Sequence, residues 1–206
     1  YEPSSAERAR RLAAELTALK PNIFLAQGLP SVVAIREASV GLPIVFLGVP
    51  DPVSTRLVES LVRPGGLATG FTSTEPAFGA KWIELLKEIS PPTQRLLVLT
   101  QQSAGLYRLS IEQATKQFGV EVSFAQVNSA AEIETVLDGF AATAAGAGGL
   151  ILPTDLFTAS HRRQIIALAA RHRLPLITGN PPFPPDGGLM YYGADFVDLY
   201  VRAAGY

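Results

Sequence analysis

The sequence predicts an α/β protein of two Rossmann-like lobes, each a parallel sheet flanked by helices. Three observations predict it. Short apolar runs without alternation recur along the chain, amphipathic helical segments alternate with them, and the pattern stops and restarts around Thr69-Gly70-Phe71-Thr72-Ser73-Thr74-Glu75-Pro76. An unalternated apolar strand needs cover on both faces, which helices above and below a parallel sheet supply. Strands alternating with helices imply crossover connections and parallel pairing. With 206 residues the chain is longer than the common single-domain size, which is about 100–150. The expected division is a first lobe over 1–73, a second over 74–192, and a segment over 193–206 that crosses back toward the first.

In the first half, Ser4-Ser5-Ala6-Glu7 reads as a capping box, with hydroxyl and carboxylate satisfying the first free amides of a helix. Ala9, Leu12, Ala13, Leu16 and Leu19 then recur at helical spacing and stop at Pro21. Ile23-Phe24-Leu25-Ala26 reads as a strand covered on both faces. Ser31 is the expected N-cap of a short helix carrying Val32, Val33 and Ile35, and Pro43 opens a second buried strand, Ile44-Val45-Phe46-Leu47. After the rigid loop Gly48 to Pro52, the residues Val53, Leu57, Val58 and Leu61 predict a helix, stopped by Arg63-Pro64-Gly65-Gly66. A short strand, Ala68 to Phe71, leads into the crossing.

In the second half, Phe78, Trp82, Leu85, Leu86 and Ile89 line a helix ended by Pro91-Pro92. Strand Leu96 to Leu99, a helix from about Leu106 to Phe118 and strand Val120 to Val127 follow. Ser129-Ala130-Ala131-Glu132 is a second capping box, opening a helix through Ile133, Val136, Leu137 and Phe140. Ala141 to Gly149 reads as a small-residue loop before the buried strand Leu150-Ile151-Leu152. Thr154 or Ser160 caps the next helix, Leu174 to Thr178 is a strand, and Asn180 to Gly188 is a loop shaped by Pro and Gly. Gly187 to Gly193 is a short strand ending in a turn, and Asp195 to Ala204 is helical.

Composition narrows the function. A formal net charge of −1, with no block of Lys and Arg, excludes a nucleic-acid surface, which needs clustered cations against phosphates. His161-Arg162-Arg163 and Arg171-His172-Arg173 fall on one helix and read as a solvated face. No apolar run reaches the ~20 residues of a membrane span. Zero cysteines exclude disulfides, thiolate metal sites and cysteine nucleophiles. The sequence lacks Gly-Lys-Ser/Thr, His-Glu-x-x-His and Gly-x-Ser-x-Gly, and Gly146-Ala147-Gly148-Gly149 precedes a strand instead of following one. The expectation is a non-enzyme without cofactor or metal.

Ligands of open parallel sheets bind beyond the carboxyl ends of the strands. The loops there contribute Leu29, Pro30, Ser31, Asp51, Phe71, Thr72 and Ser73 from the first half, and Gln101, Gln102, Thr154, Asp155, Asn180 and Tyr191 from the second. Such hydroxyls and free helix amides suit a carboxylate, while Asp51 or Asp155 suits an ammonium. Each aspartate reads equally as a helix N-cap. Tyr192, Phe157 and Phe183 lie beside these loops and can stack on a ring or an apolar side chain.

At Pro43-Ile44-Val45-Phe46, Asp51-Pro52-Val53, Arg63-Pro64-Gly65-Gly66 and Thr69-Gly70 the chain resembles the substrate-binding proteins of ABC transporters, in the family that includes tryptophan- and tyrosine-binding lipoproteins. The resemblance continues through Lys81 to Pro91, Leu150-Ile151-Leu152-Pro153, Ala169 to Pro175 and Gly187 to Tyr200. It implies a type I periplasmic binding fold closing by hinge motion on one small molecule, often an aromatic amino acid. A transporter permease as partner and a periplasmic or cell-surface location come with it. A ligand-sensing domain of a receptor or regulator is the alternative that shares the fold. The resemblance also implies a longer protein, truncated here at both ends, whose first lobe has a central strand before Tyr1 and further crossing segments after Tyr206.

Overall fold

The computed structural model describes residues 6–39, 41–101, 104–181, 187 and 190–206. The chain divides into two compact units, residues 1–74 with 194–206, and residues 75–193. Each is built around its own parallel sheet. The expected box at Ser4 and Ser5 lies outside the described residues.

In the first unit α1 (Ala6–Ala18), β1 (Phe24–Gln27), α2 (Leu29–Ala38), β2 (Ile44–Leu47) and β3 (Ala68–Phe71) follow in order, and α8 (Phe196–Ala203) returns to the same unit. The sheet order is β1-β2-β3, so β2 is central and all four of its residues are buried. Because side chains alternate across a strand, Ile44 and Phe46 join the α1/α2 core with Ala9, Ala13, Phe24, Val32 and Ile35. Val45 and Leu47 point to the other face, against Ala203 and Leu199 of α8.

Four expectations are corrected in this unit. The first concerns β1, outermost with β3 among the described strands of this sheet: Phe24 and Ala26 are buried, but Ile23 is 44% and Leu25 52% exposed. Among the described elements α8 packs mainly on β2 and β3, and its Tyr200 hydroxyl reaches the Gln27 side chain of β1. Secondly, the segment after Asp51 is a run of turns and no helix, although Leu57 and Val58 are buried as the pattern required. Asp51 and Arg56 take positive φ values of 42° and 54°, which break the right-handed repeat at both ends. Thirdly, Leu61 of the expected apolar stripe is 67% exposed. Finally, α2 begins three residues earlier than expected, with Gly28 as N-cap and Pro30 in its first turn, so Ser31 lies inside the helix.

In the second unit α3 (Phe78–Ile89), β4 (Arg95–Thr100), α4 (Gly105–Phe118), β5 (Glu121–Gln126), α5 (Ala130–Ala144), β6 (Gly148–Leu152), α6 (Leu156–Ser160), α7 (Arg162–Arg171), β7 (Leu176–Thr178) and β8 (Met190–Tyr191) give the order β5-β4-β6-β7-β8. The central strands carry the continuous apolar runs: β6 is buried throughout and β4 from Leu96 onward. One core lies between the sheet and α5/α7, with Leu97, Leu99, Leu150, Leu152, Ile133 and Ile165; the opposite core joins Leu96, Val98, Ile151 and Ile177 to α3 and α4.

The capping box at Ser129 forms as read. Ser129 Oγ accepts the Glu132 amide at 3.2 Å, and Glu132 Oε2 accepts the Asn128 amide at 2.9 Å. Ser129→Ala is expected to lower the stability of this unit by about 1 kcal/mol in urea titration; an unchanged midpoint would show that the cap is not engaged in solution. The stretch 141–149 is corrected: α5 continues to Ala144, alanine being the best helix former, and Gly148 and Gly149 already belong to β6. A Cβ on Gly148 would lie 2.7 Å from Leu174 Cδ2, so the glycine reflects tight strand packing and not a loop.

Candidate functional site

In each unit the strands run parallel and in register, so their carboxyl ends share one edge. In the second unit Leu152 of β6 pairs with Thr178 of β7. The turns that follow are held together by side chains. Asn180 Oδ1 accepts the Asp155 amide at 3.0 Å, and Asn180 Nδ2 donates to the Pro153 carbonyl at 3.0 Å. Thr154 Oγ1 donates to the Gly179 carbonyl at 3.1 Å.

Asp155 is the N-cap of α6, where its Oδ1 accepts the Thr158 amide at 2.8 Å. This corrects the expected caps Thr154 and Ser160; Ser160 Oγ instead donates to the Phe157 carbonyl at 2.7 Å. Asp155 Oδ2 accepts the Gln101 amide at 3.1 Å, tying in the turn after β4. A carboxylate offers about four acceptor positions, and donors among the described residues take two of them on this half-buried side chain. Thr154 is exposed, Tyr191 half-buried, and Asn180 only 5% exposed. Gln102 and Phe183 lie outside the described residues.

Beneath this edge stands an aromatic cluster. Trp82 is fully buried and its Nε1 donates to the Tyr192 carbonyl at 2.8 Å, which anchors the chain just after β8. Tyr107 packs at 4.7 Å from Trp82, and Phe78 meets Tyr192 edge-on at 5.5 Å. Burial pushes the Tyr107 phenol above its ordinary pKa, with the Thr154 side chain working in the opposite direction. Gly179 passes so close that a Cβ would sit 2.8 Å from Trp82 Cζ2 and 2.9 Å from Thr154 Oγ1.

In the first unit Leu29 packs against the α1/α2 core, Pro30 is exposed and Ser31 half-buried. Asp51 is exposed, and its Oδ1 accepts the Ser54 amide at 3.1 Å. That amide, followed by the Ser54 side chain, holds the carboxyl below its ordinary value. Phe71 is half-buried beside α8, edge-on to Tyr206 at 6.1 Å. The Thr72 hydroxyl is used within its own loop, donating to the Thr74 carbonyl at 3.1 Å, and Ser73 is 6% exposed.

The two histidines belong to local structure. His161 Nδ1 lies 2.9 Å from the Phe157 carbonyl, and His172 Nε2 lies 2.6 Å from Asp138 Oδ1. Both are half-buried and hydrogen-bonded. Among the described residues no group of three or more His, Cys, Asp or Glu is placed to hold a metal ion. Sequence reasoning missed the roles of Trp82, Tyr107 and Phe78 under the site. For Asp155 the N-cap, one of its two sequence readings, is the role seen in the fold.

The profile of the family described as ABC transporter substrate binding protein matches residues 3–206. The chain belongs to this family. Its members are substrate-binding proteins and not enzymes. A "Tyrosine-binding protein" of Clostridioides difficile (strain R20291) is 25% identical over 195 residues, covering 93% of this chain and 55% of that protein. The chain thus spans about half the length of that curated relative. Among solved structures, an ABC domain in complex with L-Trp from Streptococcus pneumonia matches with TM-score 0.77 and 21% identity, over 98% of this chain and 68% of that one. A conserved domain protein from Vibrio cholerae matches with TM-score 0.78 and 23% identity at the same coverages. These similarities establish the periplasmic binding fold. Among the described residues no helix is long and apolar enough to cross a membrane.

Proposed function

We propose that this chain is the ligand-binding portion of an extracytoplasmic solute-binding protein, delivering a small molecule, an amino acid and preferentially an aromatic one, to the permease of an ABC transporter. The observation that carries the reading is the pair Thr154 and Asp155. It sits exposed and half-buried at the carboxyl edge of a parallel sheet, and donors among the described residues use two of the roughly four acceptor positions of the Asp155 carboxylate. An ammonium group is the cation that fits a half-solvated carboxylate beside a hydroxyl. Tyr191 at the same edge offers a ring for stacking. The name of the curated relative supports tyrosine as the first ligand to try. From the first unit, Leu29, Pro30, Ser31, Asp51, Phe71, Thr72 and Ser73 are proposed as contacts, with Gln101 completing the second.

Calorimetric titration of the full-length protein with the individual standard amino acids is the test. Saturable heats for tyrosine, tryptophan or phenylalanine, with affinity weakened about tenfold or more by Asp155→Ala, are expected. Flat traces across the panel would remove the reading.

A further inference from the structure

We infer that Asn180 is a positioning residue: it does not touch the ligand but holds Thr154 and Asp155 where they can. The inference rests on the ligand-binding reading above. Asn180 is 5% exposed, and the polar atoms of its side chain face backbone partners. Both ends of that amide are engaged, the oxygen by the Asp155 amide and the nitrogen by the Pro153 carbonyl, each at 3.0 Å. The Asn180 backbone is fixed in turn, its amide donating to Thr178 Oγ1 at 3.0 Å, and Thr178 is fully buried.

The consequence is a chain of constraint across three strand ends. Thr178 fixes Asn180, Asn180 fixes the backbone on both sides of Thr154, and the Asp155 carboxylate reaches the Gln101 amide after β4. The Asn180 amide carries an acceptor and a donor on one planar group and so bridges Asp155 N and Pro153 O together. Asp at this position would set an acceptor against the Pro153 carbonyl, and Leu would leave both backbone groups unpaired at similar volume. Outer partners of this kind act on affinity through the residues they orient.

The test is a double-mutant cycle on ligand affinity, with titrations taken to millimolar amino acid so that all four corners are measurable. Asn180→Leu is expected to weaken binding about tenfold, the scale of unpairing buried backbone groups. In an Asp155→Ala background the same change is expected to cost about twofold or less. Amide exchange at Asp155, followed by NMR without ligand, is expected to speed up in Asn180→Leu, because its acceptor has gone. Should Asn180→Leu fail to fold, Thr178→Val loosens the same chain more gently and is expected to act in the same direction. Additive losses together with unchanged Asp155 exchange would make Asn180 a direct contact and overturn the inference alone. Wild-type chain that binds no amino acid removes the ligand reading and this inference with it.

Discussion

Gly70→Ala is expected to unfold the first unit and leave the second standing. Gly70 lies in β3, beside the central strand β2, where it pairs with Phe46. A Cβ there would fall 2.0 Å from the Phe46 carbonyl oxygen and 2.7 Å from its nitrogen. Both are backbone atoms of a strand packed on both faces, so neither can withdraw by a rotamer change. The backbone itself, at φ +155°, is one that a side chain rarely adopts. The expected cost is about 4 kcal/mol or more, in the range reserved for strain and overpacking inside a core. A three-stranded unit has little stability to spare against that. The readout follows from composition: the chain has one tryptophan, Trp82, in the second unit. Its fluorescence reports the second unit, while far-ultraviolet circular dichroism reports both. In urea, part of the dichroism is expected to disappear at low denaturant while the fluorescence midpoint stays at the wild-type value. Coincident curves for wild type and variant would show that β3 tolerates the methyl group, and the close approach would be wrong.

What the sequence made legible was whatever depended on neighbouring residues. The Ser129/Glu132 box could be read because its partners are three residues apart, and β4 and β6 because an apolar run marks a strand buried on two sides. The same signal misled at β1. Ile23 to Ala26 is as apolar as Ile44 to Leu47, yet among the described strands one run is outermost and the other central, since a strand's composition does not say which elements pack beside it. The turns after Asp51 were hidden for a related reason: left-handed backbone at Asp51 and Arg56 carries no glycine to announce it. At the candidate site, strand-end positions could be listed from the loop order, but their division of labour could not. Asn180 meets Asp155 across 25 residues of sequence, and Trp82 meets Tyr192 across 110. Those separations belong to sheet order, which a single sequence does not state.

Trp82→Ala is the variant expected to couple the core of the second unit to its strand edge. The indole is fully buried among Tyr107, Phe78 and Tyr192, and removing it costs about 3–5 kcal/mol through lost contacts and the cavity left behind. The Tyr192 carbonyl also loses its donor, adding about 1 kcal/mol if no water replaces it. Dichroism in urea should therefore show the second unit melting earlier, with the first unit unaffected. Trp82→Phe, which keeps a ring but not the donor, is expected to fall between. The coupling appears in a second substitution. Gly179→Ala drives a methyl group to 2.8 Å from Trp82 Cζ2 and 2.9 Å from Thr154 Oγ1, so on its own it should destabilise the unit and weaken ligand binding by displacing Thr154. With Trp82 already reduced to alanine, one of the two obstructions is gone, and the stability penalty of Gly179→Ala is expected to shrink by about half. The remaining half belongs to Thr154. Strictly additive penalties in that cycle would mean that the strand edge relaxes independently of the aromatic cluster, and the indole would then be a core residue with no hold on the site.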